Sequence, residues 1–284
     1  MALRDTDVET TGTSLQKCKV VLGVTGGIAA VETVRLARAL RREGAELTVI
    51  MTPSSQRIIT PLAVRWASQA DVITDWDGDL TALNEADAVL VAPATRDVMA
   101  SHLHGLQHGP LMMALSVART RNTPILMVPS MHADLAEDPV TDDIVQAVSQ
   151  QGVHVLWGPE EEGKRKTPPS DQIVATLAHH VNASRPGRKN VVITLGATRS
   201  PVDDVRHVQN TSSGNTGWAL ADHLHKCFPE MPQRILDLAA LPVLDVHRVL
   251  DATVDQFQPT LLVFSWRDIQ IYEQVDGRLV NPLH

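Results

Sequence analysis

Short β-branched runs that alternate with longer amphipathic stretches constrain the fold of this chain most strongly. Lys19–Val24 predicts a buried strand, and Ile28–Glu43 predicts a helix that follows a glycine loop and ends at Gly44. The same alternation predicts strands at Glu46–Met51, Ala88–Ala92, Pro124–Val128 and Val153–Trp157, and helices at Pro110–Thr120 and Val140–Gln150. Strand–helix repeats of this kind indicate an α/β fold whose parallel sheet is covered by helices on both faces.

A segment rich in Pro, Gly and charge divides the chain, and the pattern restarts after it. We expect a flexible arm over residues 1–16, with an interface arm as the alternative. A larger domain over 17–183 follows, then a linker over 184–189. The remainder, 190–284, predicts a smaller α/β appendage with a strand at Asn190–Leu195, a helix at Gly214–Cys227 and strands at Leu261–Ser265 and Ile269–Val275.

Composition excludes several classes of protein. With 25 Lys and Arg against 33 Asp and Glu, the net charge is −8, which argues against nucleic acid as a partner. The two cysteines, Cys18 and Cys227, cannot hold an iron–sulfur cluster or a four-thiolate zinc site, and they fit a reducing cytoplasm. No apolar stretch approaches the ~20 residues of a membrane span, and we expect no membrane partner. His102, His104 and His108 are a weak metal signal without an acidic cluster, so no metal is predicted.

The loop between the first strand and the first helix, Gly23–Ile28, has the composition of a phosphate-binding turn. Its glycines let backbone approach a ligand, and the helix start offers free N–H groups. The loop has neither the Lys-Ser/Thr of a P-loop nor the spacing of G-x-G-x-x-G. A purely structural tight turn is the alternative.

Polar or proline-containing segments follow four other predicted strands, where parallel sheets bind ligands. Hydroxyls from several of these strand ends could meet one phosphorylated ligand. The segments are Met51–Ser55, Ala92–Asp97, Pro129–His132 and Gly158–Pro159.

Three motifs, GVTGGIAA at Gly23–Ala30, VAPAT at Val91–Thr95 and VPSM at Val128–Met131, resemble the FMN-binding cysteine-decarboxylase-type flavoproteins. The resemblance implies a flavodoxin-like, doubly wound parallel sheet in three Rossmann-like layers, FMN as the cofactor, and a homo-oligomer built from trimers. It also implies a set of cofactor-binding residues, namely Thr25, Gly26, Gly27, Ile28, Thr52, Ser54, Pro93, Ala94, Thr95, Arg96, Ser130 and Met131.

A second resemblance covers residues 190–222. ITLGATR at Ile193–Arg199 and NTSSGNTG at Asn210–Gly217 resemble the opening of phosphopantothenate–cysteine ligases. The lysine-bearing second half of those ligases has no counterpart, so we expect a truncated ligase-like segment without ligase activity. Whether it closes over the flavin site or builds the oligomer stays open.

Departures from the decarboxylases shape the functional prediction. Asp79 and His132 stand where that family has an active-site His and an Asn, and Gly158–Pro169 lacks the family's reactive Cys. Gly163–Lys166 resembles the archaeal-type flavoproteins, which include dihydromethanopterin reductase. Its cations, Lys164, Arg165 and Lys166, fit a clamp for a glutamyl or phosphate tail and fit a solvated flap equally well, so they are not counted among the predicted site residues.

The predicted function is therefore an FMN-dependent oxidoreductase of one-carbon metabolism that reduces a dihydropterin with electrons from an external donor. Asp79 and His132 are the predicted catalytic residues, with His132 as the proton donor. The alternatives for them are a turn residue and an ordinary hydrogen-bonded histidine. The alternative functions are a phosphopantothenoylcysteine decarboxylase or bifunctional coenzyme A enzyme, and a non-catalytic flavin-binding subunit.

Overall fold

Two compact units make up the chain in this computed structural model, Met1–Val181 and Asn182–His284. The structure describes residues 5–76, 81–161, 164–183, 191–195, 199–202, 206–209, 213, 215–216, 218–221, 233–237, 261–265, 269–275 and 278–280. None of the described helices is long and apolar enough to cross a membrane.

A six-stranded parallel sheet forms the centre of the first unit, in the order β3-β2-β1-β4-β5-β7. Counted by strand within this sheet, the order is 3-2-1-4-5-6, which is that of a doubly wound α/β fold with its switch point between β1 and β4. The predicted fold class is confirmed. The strands are β1 (Lys19–Val24), β2 (Glu46–Met51), β3 (Val72–Ile73), β4 (Ala88–Ala94), β5 (Ile125–Pro129) and β7 (Val153–Val155).

Helices connect these strands, and a small antiparallel sheet, β6-β9-β8, stands apart from the main one. Its strands are β6 (Met131–His132), β8 (Glu160–Glu161) and β9 (Lys164–Arg165). The helices are α1 (Thr33–Arg42), α2 (Pro61–Ser68), α3 (Arg96–Leu103), α4 (Pro110–Arg121), α5 (Ala133–Ala136), α6 (Pro139–Gln150) and α7 (Ser170–Asn182). Short 3-10 turns lie at Ile28–Glu32, Ser55–Arg57 and Thr81–Glu85.

Two hydrophobic cores lie on opposite faces of the main sheet, which makes three layers. Val20, Leu22 and Val24 of β1 belong to the core that also contains residues of α1, α2 and α7. Val21 belongs to the other core, with residues of α3, α4 and α6. Successive strand side chains point to opposite faces, so a strand covered on both sides is apolar throughout. This is why the continuous apolar runs of the sequence predicted buried parallel strands.

The predicted helix at Ile28–Glu43 is divided in the structure. A 3-10 turn occupies Ile28–Glu32, and α1 begins only at Thr33. Ile28 and Val31, which the apolar periodicity counted toward the helix face, are 77% and 53% exposed. The helix α2 was not predicted, although Thr60 caps it by accepting a hydrogen bond from the backbone N–H of Ala63.

The N-terminal segment lies along α1. The backbone N–H of Thr11 donates to the Arg42 carbonyl at 2.9 Å, and the Arg41 guanidinium donates to the Thr6 carbonyl at 2.9 Å. The Ser14 hydroxyl donates to Glu43 at 2.7 Å. The segment is therefore anchored at several points, and its flexibility in solution stays a prediction.

The second unit contains a five-stranded sheet in the order β13-β10-β14-β15-β16 and a two-stranded sheet, β11-β12. β10 pairs in parallel with β13 and β14, whereas β15 and β16 are antiparallel. The predicted linker 184–189 and most of the predicted helix 214–227 lie outside the described residues. The strands are β10 (Val191–Leu195), β11 (Arg199–Pro201), β12 (His207–Gln209), β13 (Gln233–Asp237), β14 (Leu261–Ser265), β15 (Ile269–Val275) and β16 (Arg278–Val280).

Candidate functional site

The loops that follow β1 and β4 meet at the switch point of the main sheet, where a doubly wound fold opens a crevice. Thr25, only 1% exposed, joins them. Its hydroxyl donates to the Pro93 carbonyl at 2.7 Å and accepts from the backbone N–H of Thr95 at 3.2 Å. Both hydrogen-bonding directions of this hydroxyl are used within the protein, so Thr25 positions the two loops.

Gly26 and Gly27 form a cradle because neighbouring loops leave no room for a side chain. A Cβ atom on Gly26 would lie 2.5 Å from Cβ of Ser54, and one on Gly27 would lie 3.3 Å from Cγ of Pro93. A Cβ on Gly27 would also lie 3.7 Å from the Ser130 carbonyl oxygen. The ends of β1, β2, β4 and β5 therefore converge on these two glycines, and bare backbone faces the converging loops. This fits a site for a phosphorylated cofactor.

The turn after β2 supplies hydroxyl groups beside the cradle. The backbone N–H of Thr52 donates to the Val24 carbonyl at 3.0 Å, and the Ser55 hydroxyl donates to the Thr52 carbonyl at 2.8 Å. Ser54 is exposed, and its side chain makes no capping bond to the turn that it precedes. The Ser54 hydroxyl is thus free of the local backbone, whereas Ser55 is engaged by it.

Thr95 and Arg96 hold the segment after β4 in place. The Thr95 hydroxyl accepts from the backbone N–H of Val98 at 3.4 Å and caps α3. The Arg96 guanidinium lies 2.5 Å from the carboxylate of Asp138, the residue that caps α6. The backbone N–H of Val140 and the Arg96 guanidinium lower the pKa of Asp138. The side chains of Thr95 and Arg96 therefore connect structural elements. Pro93 is buried beside Gly27 of the cradle, and Ala94 is buried in the second core.

A cavity of about 630 Å³ adjoins the cradle. Predicted site residues supply one wall of it, and the segment from β9 to α7 supplies another. The predicted residues are Ile28, Pro93, Ser130, Met131 and His132, and the prediction of site residues missed Thr33, Arg35, Arg165, Thr167 and Ser170. Helical periodicity gives Thr33 no functional signal, and Arg165 belongs to a charged stretch that also fits a solvated surface.

His132 lies at the edge of this cavity and is exposed. Its Nδ1 is 3.1 Å from the Asp134 carboxylate and 3.4 Å from the Asp134 backbone nitrogen. In one tautomer of the neutral ring, Nδ1 accepts from the backbone N–H of Asp134; in the other, an Nδ1–H donates to the carboxylate and Nε2 is the proton acceptor. Asp79, the other predicted catalytic residue, lies outside the described residues.

The three histidines His102, His104 and His108 do not gather into a metal site. His102 is 1% exposed, and its Nδ1 accepts from the Arg119 guanidinium at 3.0 Å. Burial and the neighbouring Arg119 lower the pKa of His102 to about 4. His104 and His108 are exposed. Among the residues that the structure describes, no group of three or more His, Cys, Asp or Glu side chains could hold a metal ion.

A comparison with protein families gives the same boundaries as this architecture. A model of the Flavoprotein family matches residues 8–182, well over half of the chain. The chain belongs to the Flavoprotein family. The membership confirms the predicted flavin cofactor, FMN, which the glycine cradle also fits. A second model, for the DNA/pantothenate metabolism flavoprotein C-terminal domain, matches residues 187–228.

Curated relatives of this flavoprotein include bifunctional coenzyme A biosynthesis proteins. It is 34% identical over 211 residues to CoaBC of Thermococcus kodakarensis, which covers 72% of this chain and 52% of the relative. It is 31% identical over 224 residues to CoaBC of Escherichia coli, which covers 73% of this chain and 54% of the relative. The chain thus spans about half the length of the curated relatives that it matches.

Solved structures support the fold. The FMN-dependent cysteine decarboxylase SpaF superposes with a TM-score of 0.53 at 20% identity, over 59% of this chain and 98% of that protein. A PPC decarboxylase mutant complexed with pantothenoylaminoethenethiol gives 0.51 at 19% identity, over 57% of this chain and 96% of that protein. At these identities the likeness shows the architecture alone.

The prediction of a dihydromethanopterin reductase-like oxidoreductase is wrong. Relatives from coenzyme A biosynthesis and the C-terminal domain of pantothenate metabolism contradict the pterin substrate, the external electron donor and the place in one-carbon metabolism. The error came from Gly163–Lys166, because a short basic stretch occurs in proteins with many different substrates. The predicted assembly from trimers stays a prediction.

Proposed function

We propose that this flavoprotein is an FMN-dependent decarboxylase of coenzyme A biosynthesis that acts on phosphopantothenoylcysteine. The observation that carries the proposal is the continuous match to CoaBC proteins, which extends over more than 200 residues. The glycine cradle and the adjoining cavity give such a substrate a place beside a bound flavin.

FMN, when bound, supplies a two-electron redox centre. For its phosphate we propose the backbone at Gly26 and Gly27 and the hydroxyl of Ser54, which borders the cradle. We also propose the Thr52 hydroxyl, which lies in the same turn and makes only long, 3.4 Å contacts with the Val24 carbonyl and the Ser55 N–H. Thr25, Thr95 and Arg96 act through the loops that they hold together. The remaining predicted contacts to the flavin that border the cavity are Ile28, Pro93, Ser130 and Met131. Ala94, which is buried in the second core, stays a contact predicted from the sequence.

For His132 we propose a proton transfer with the substrate. In the tautomer that donates Nδ1–H to the Asp134 carboxylate, 3.1 Å away, Nε2 is the atom that accepts a proton from the cysteinyl thiol. The imidazolium that results is stabilised by the same carboxylate. The proposed role of Asp79 as a substrate-facing acid or anchor stays a prediction from the sequence.

The test is carbon dioxide release by the purified, FMN-loaded chain. Phosphopantothenoylcysteine labelled in its cysteinyl carboxyl group should yield one labelled carbon dioxide per molecule consumed. The His132→Gln variant should retain FMN and lose most of the rate. Exposed His108 offers a matched control, since His108→Gln changes a histidine that does not border the cavity. An FMN-loaded protein that releases no carbon dioxide would contradict the proposal.

A second candidate function, a non-catalytic flavin-binding subunit, rests on a different observation. Asp79 and His132 replace the His and Asn of the decarboxylases that the sequence resembles, and Gly158–Pro169 contains no cysteine. This candidate predicts stoichiometric FMN binding together with no carbon dioxide release. The same assay therefore separates the two functions.

For the whole chain we propose the organisation expected from the sequence, with a flavoprotein domain at 17–183 and a ligase-like segment at 190–284. The C-terminal family match at 187–228 supports the second part. We also propose a cytoplasmic location. The small number of cysteines, two in 284 residues, and the assignment to coenzyme A biosynthesis support it.

A further inference from the structure

Polar side chains on one wall of the cavity have no part in the proposed FMN contacts. Thr33 begins α1, and Arg165, Lys166 and Thr167 lie on and after β9. These residues come from two separate parts of the chain and border the same space. A ligand in the cavity would therefore meet groups from both.

Two of these groups are buried hydroxyls. The Oγ1 atoms of Thr33 and Thr167 are shielded from solvent and have no hydrogen-bond partner among the residues that the structure describes. A buried hydroxyl without a partner is costly, and nearly all such groups in folded proteins are paired. Two of them on residues that line one cavity indicate a polar ligand there.

Arg165 gives the expected charge of that ligand. Its guanidinium lies over the ring of Trp157, with Cζ 5.2 Å from the ring centroid. Stacking engages the face of the guanidinium and leaves its in-plane N–H groups available, in the fork geometry that suits phosphate and carboxylate.

Other cations of the cavity wall are already paired. Arg35 lies 3.7 Å from the Glu32 carboxylate, and Lys166 lies 2.7 Å from the Glu161 carboxylate. Arg165 has no carboxylate within ion-pair distance in the described part of the chain. It is thus the cation best placed to take up a new anion.

We propose that Arg165, Thr33 and Thr167 form a phosphate subsite that recognises the 4′-phosphate of the substrate. This inference rests on the proposed function, because it assigns the cavity to that substrate. The phosphate is not transformed, and the subsite contributes specificity: Arg165 donates to phosphate oxygens, and the two hydroxyls gain the partners that they lack.

The experiment measures binding to the FMN-loaded full chain by calorimetry. The ligands are phosphopantothenate and pantothenate, which lack the cysteinyl carboxyl group and cannot be decarboxylated. Phosphopantothenate should bind at least about tenfold more tightly, the size expected for charge-assisted hydrogen bonds. Arg165→Gln should abolish this preference, Arg165→Lys should keep part of it, and Thr167→Val should reduce it. Arg121→Gln, an exposed arginine of α4, is the matched control and should leave the preference unchanged.

Two results would overturn the subsite. Equal affinities of the wild-type protein for the two ligands would do so. An Arg165→Gln variant that keeps the preference, even if it loses FMN, would also do so. If the protein prefers phosphopantothenate but releases no carbon dioxide, the subsite is supported and the proposed function is contradicted. Carbon dioxide release without the preference would remove the subsite alone. Inorganic phosphate should compete with phosphopantothenate and not with pantothenate, which assigns the preference to the phosphate group itself.

Discussion

A buried neutral histidine makes the stability of the first unit sensitive to acid. His102 is 1% exposed, and its Nδ1 accepts a hydrogen bond from Arg119, so a proton on that nitrogen would face a guanidinium in a site shielded from solvent. The pKa of His102 is lowered to about 4 from the ordinary value of 6.5. Replacing His102 with Asn keeps an acceptor near the position of Nδ1 and removes the titration.

The magnitude follows from the difference between the two pKa values. The unfolded chain binds a proton as pH falls through 6.5, while the folded chain binds it only near 4, so this stability is present at neutral pH and lost on acidification. The full difference between the two pKa values corresponds to about 3 kcal/mol. Between pH 7 and pH 5 the loss is about 2 kcal/mol.

Denaturant unfolding at pH 7 and pH 5 measures this effect. Wild-type protein should lose about 2 kcal/mol more stability between the two pH values than His102→Asn does. The exposed His108 supplies the control, since His108→Asn should follow the wild type. If His102→Asn fails to fold, the His102 ring resonances give the answer directly and should not shift between pH 7.5 and 5.5. Identical pH dependence in wild type and His102→Asn, or a ring that titrates near 6.5, would refute the reasoning.

Glycine and threonine substitutions test the site and its supporting loops. Gly26→Ala should lower the affinity for FMN about tenfold or more by overpacking, as measured by flavin fluorescence. Gly109→Ala adds its Cβ in open space and should leave the affinity unchanged. Equal affinities of the two variants for FMN would contradict the cradle. Thr25→Val should lower the free energy of unfolding by about 1–3 kcal/mol, because it leaves the Pro93 carbonyl and the Thr95 N–H without a partner. Thr25→Ser should retain most of the stability. A Thr25→Val variant as stable as the wild type would contradict the positioning role of Thr25. Gly158→Ala places a Cβ 2.0 Å from the Lys166 carbonyl oxygen, which must shift the segment that lines the cavity. Calorimetry should show weaker phosphopantothenate binding, with the affinity for FMN unchanged. Unaltered phosphopantothenate binding would contradict a role of this segment in the cavity.

Sequence patterns located the strand ends of the site but not the use of each side chain there. Thr25, Thr95 and Arg96 were all predicted as cofactor contacts, and each side chain is engaged within the protein. A hydroxyl near a glycine loop looks the same in sequence whether it binds a ligand or a carbonyl 68 residues away. Only the packed structure distinguishes the two.

Residues outside the motifs were missed for a related reason. Thr33 occupies an ordinary helical position, and Arg165 lies in a charged stretch that sequence alone cannot separate from a solvated surface. Their significance comes from a shared cavity and from hydroxyls without partners, which are properties of three-dimensional packing. The wrong prediction of a pterin substrate had the same origin. It was assigned from the sequence of Gly163–Lys166 alone, without the residues that surround this segment in the fold.

The sequence by itself determined the doubly wound fold, and its resemblance to a flavoprotein family implied the flavin cofactor. It also predicts the edge of the sheet where the site lies. The fold and this edge depend on local signals, namely continuous apolar runs for buried parallel strands and glycines between strand and helix. The tertiary structure decided which side chains join loops by hydrogen bonds, which remain available to a ligand, and why His102 is neutral. Burial and hydrogen-bond partners set these properties, and both depend on residues that are distant in the chain.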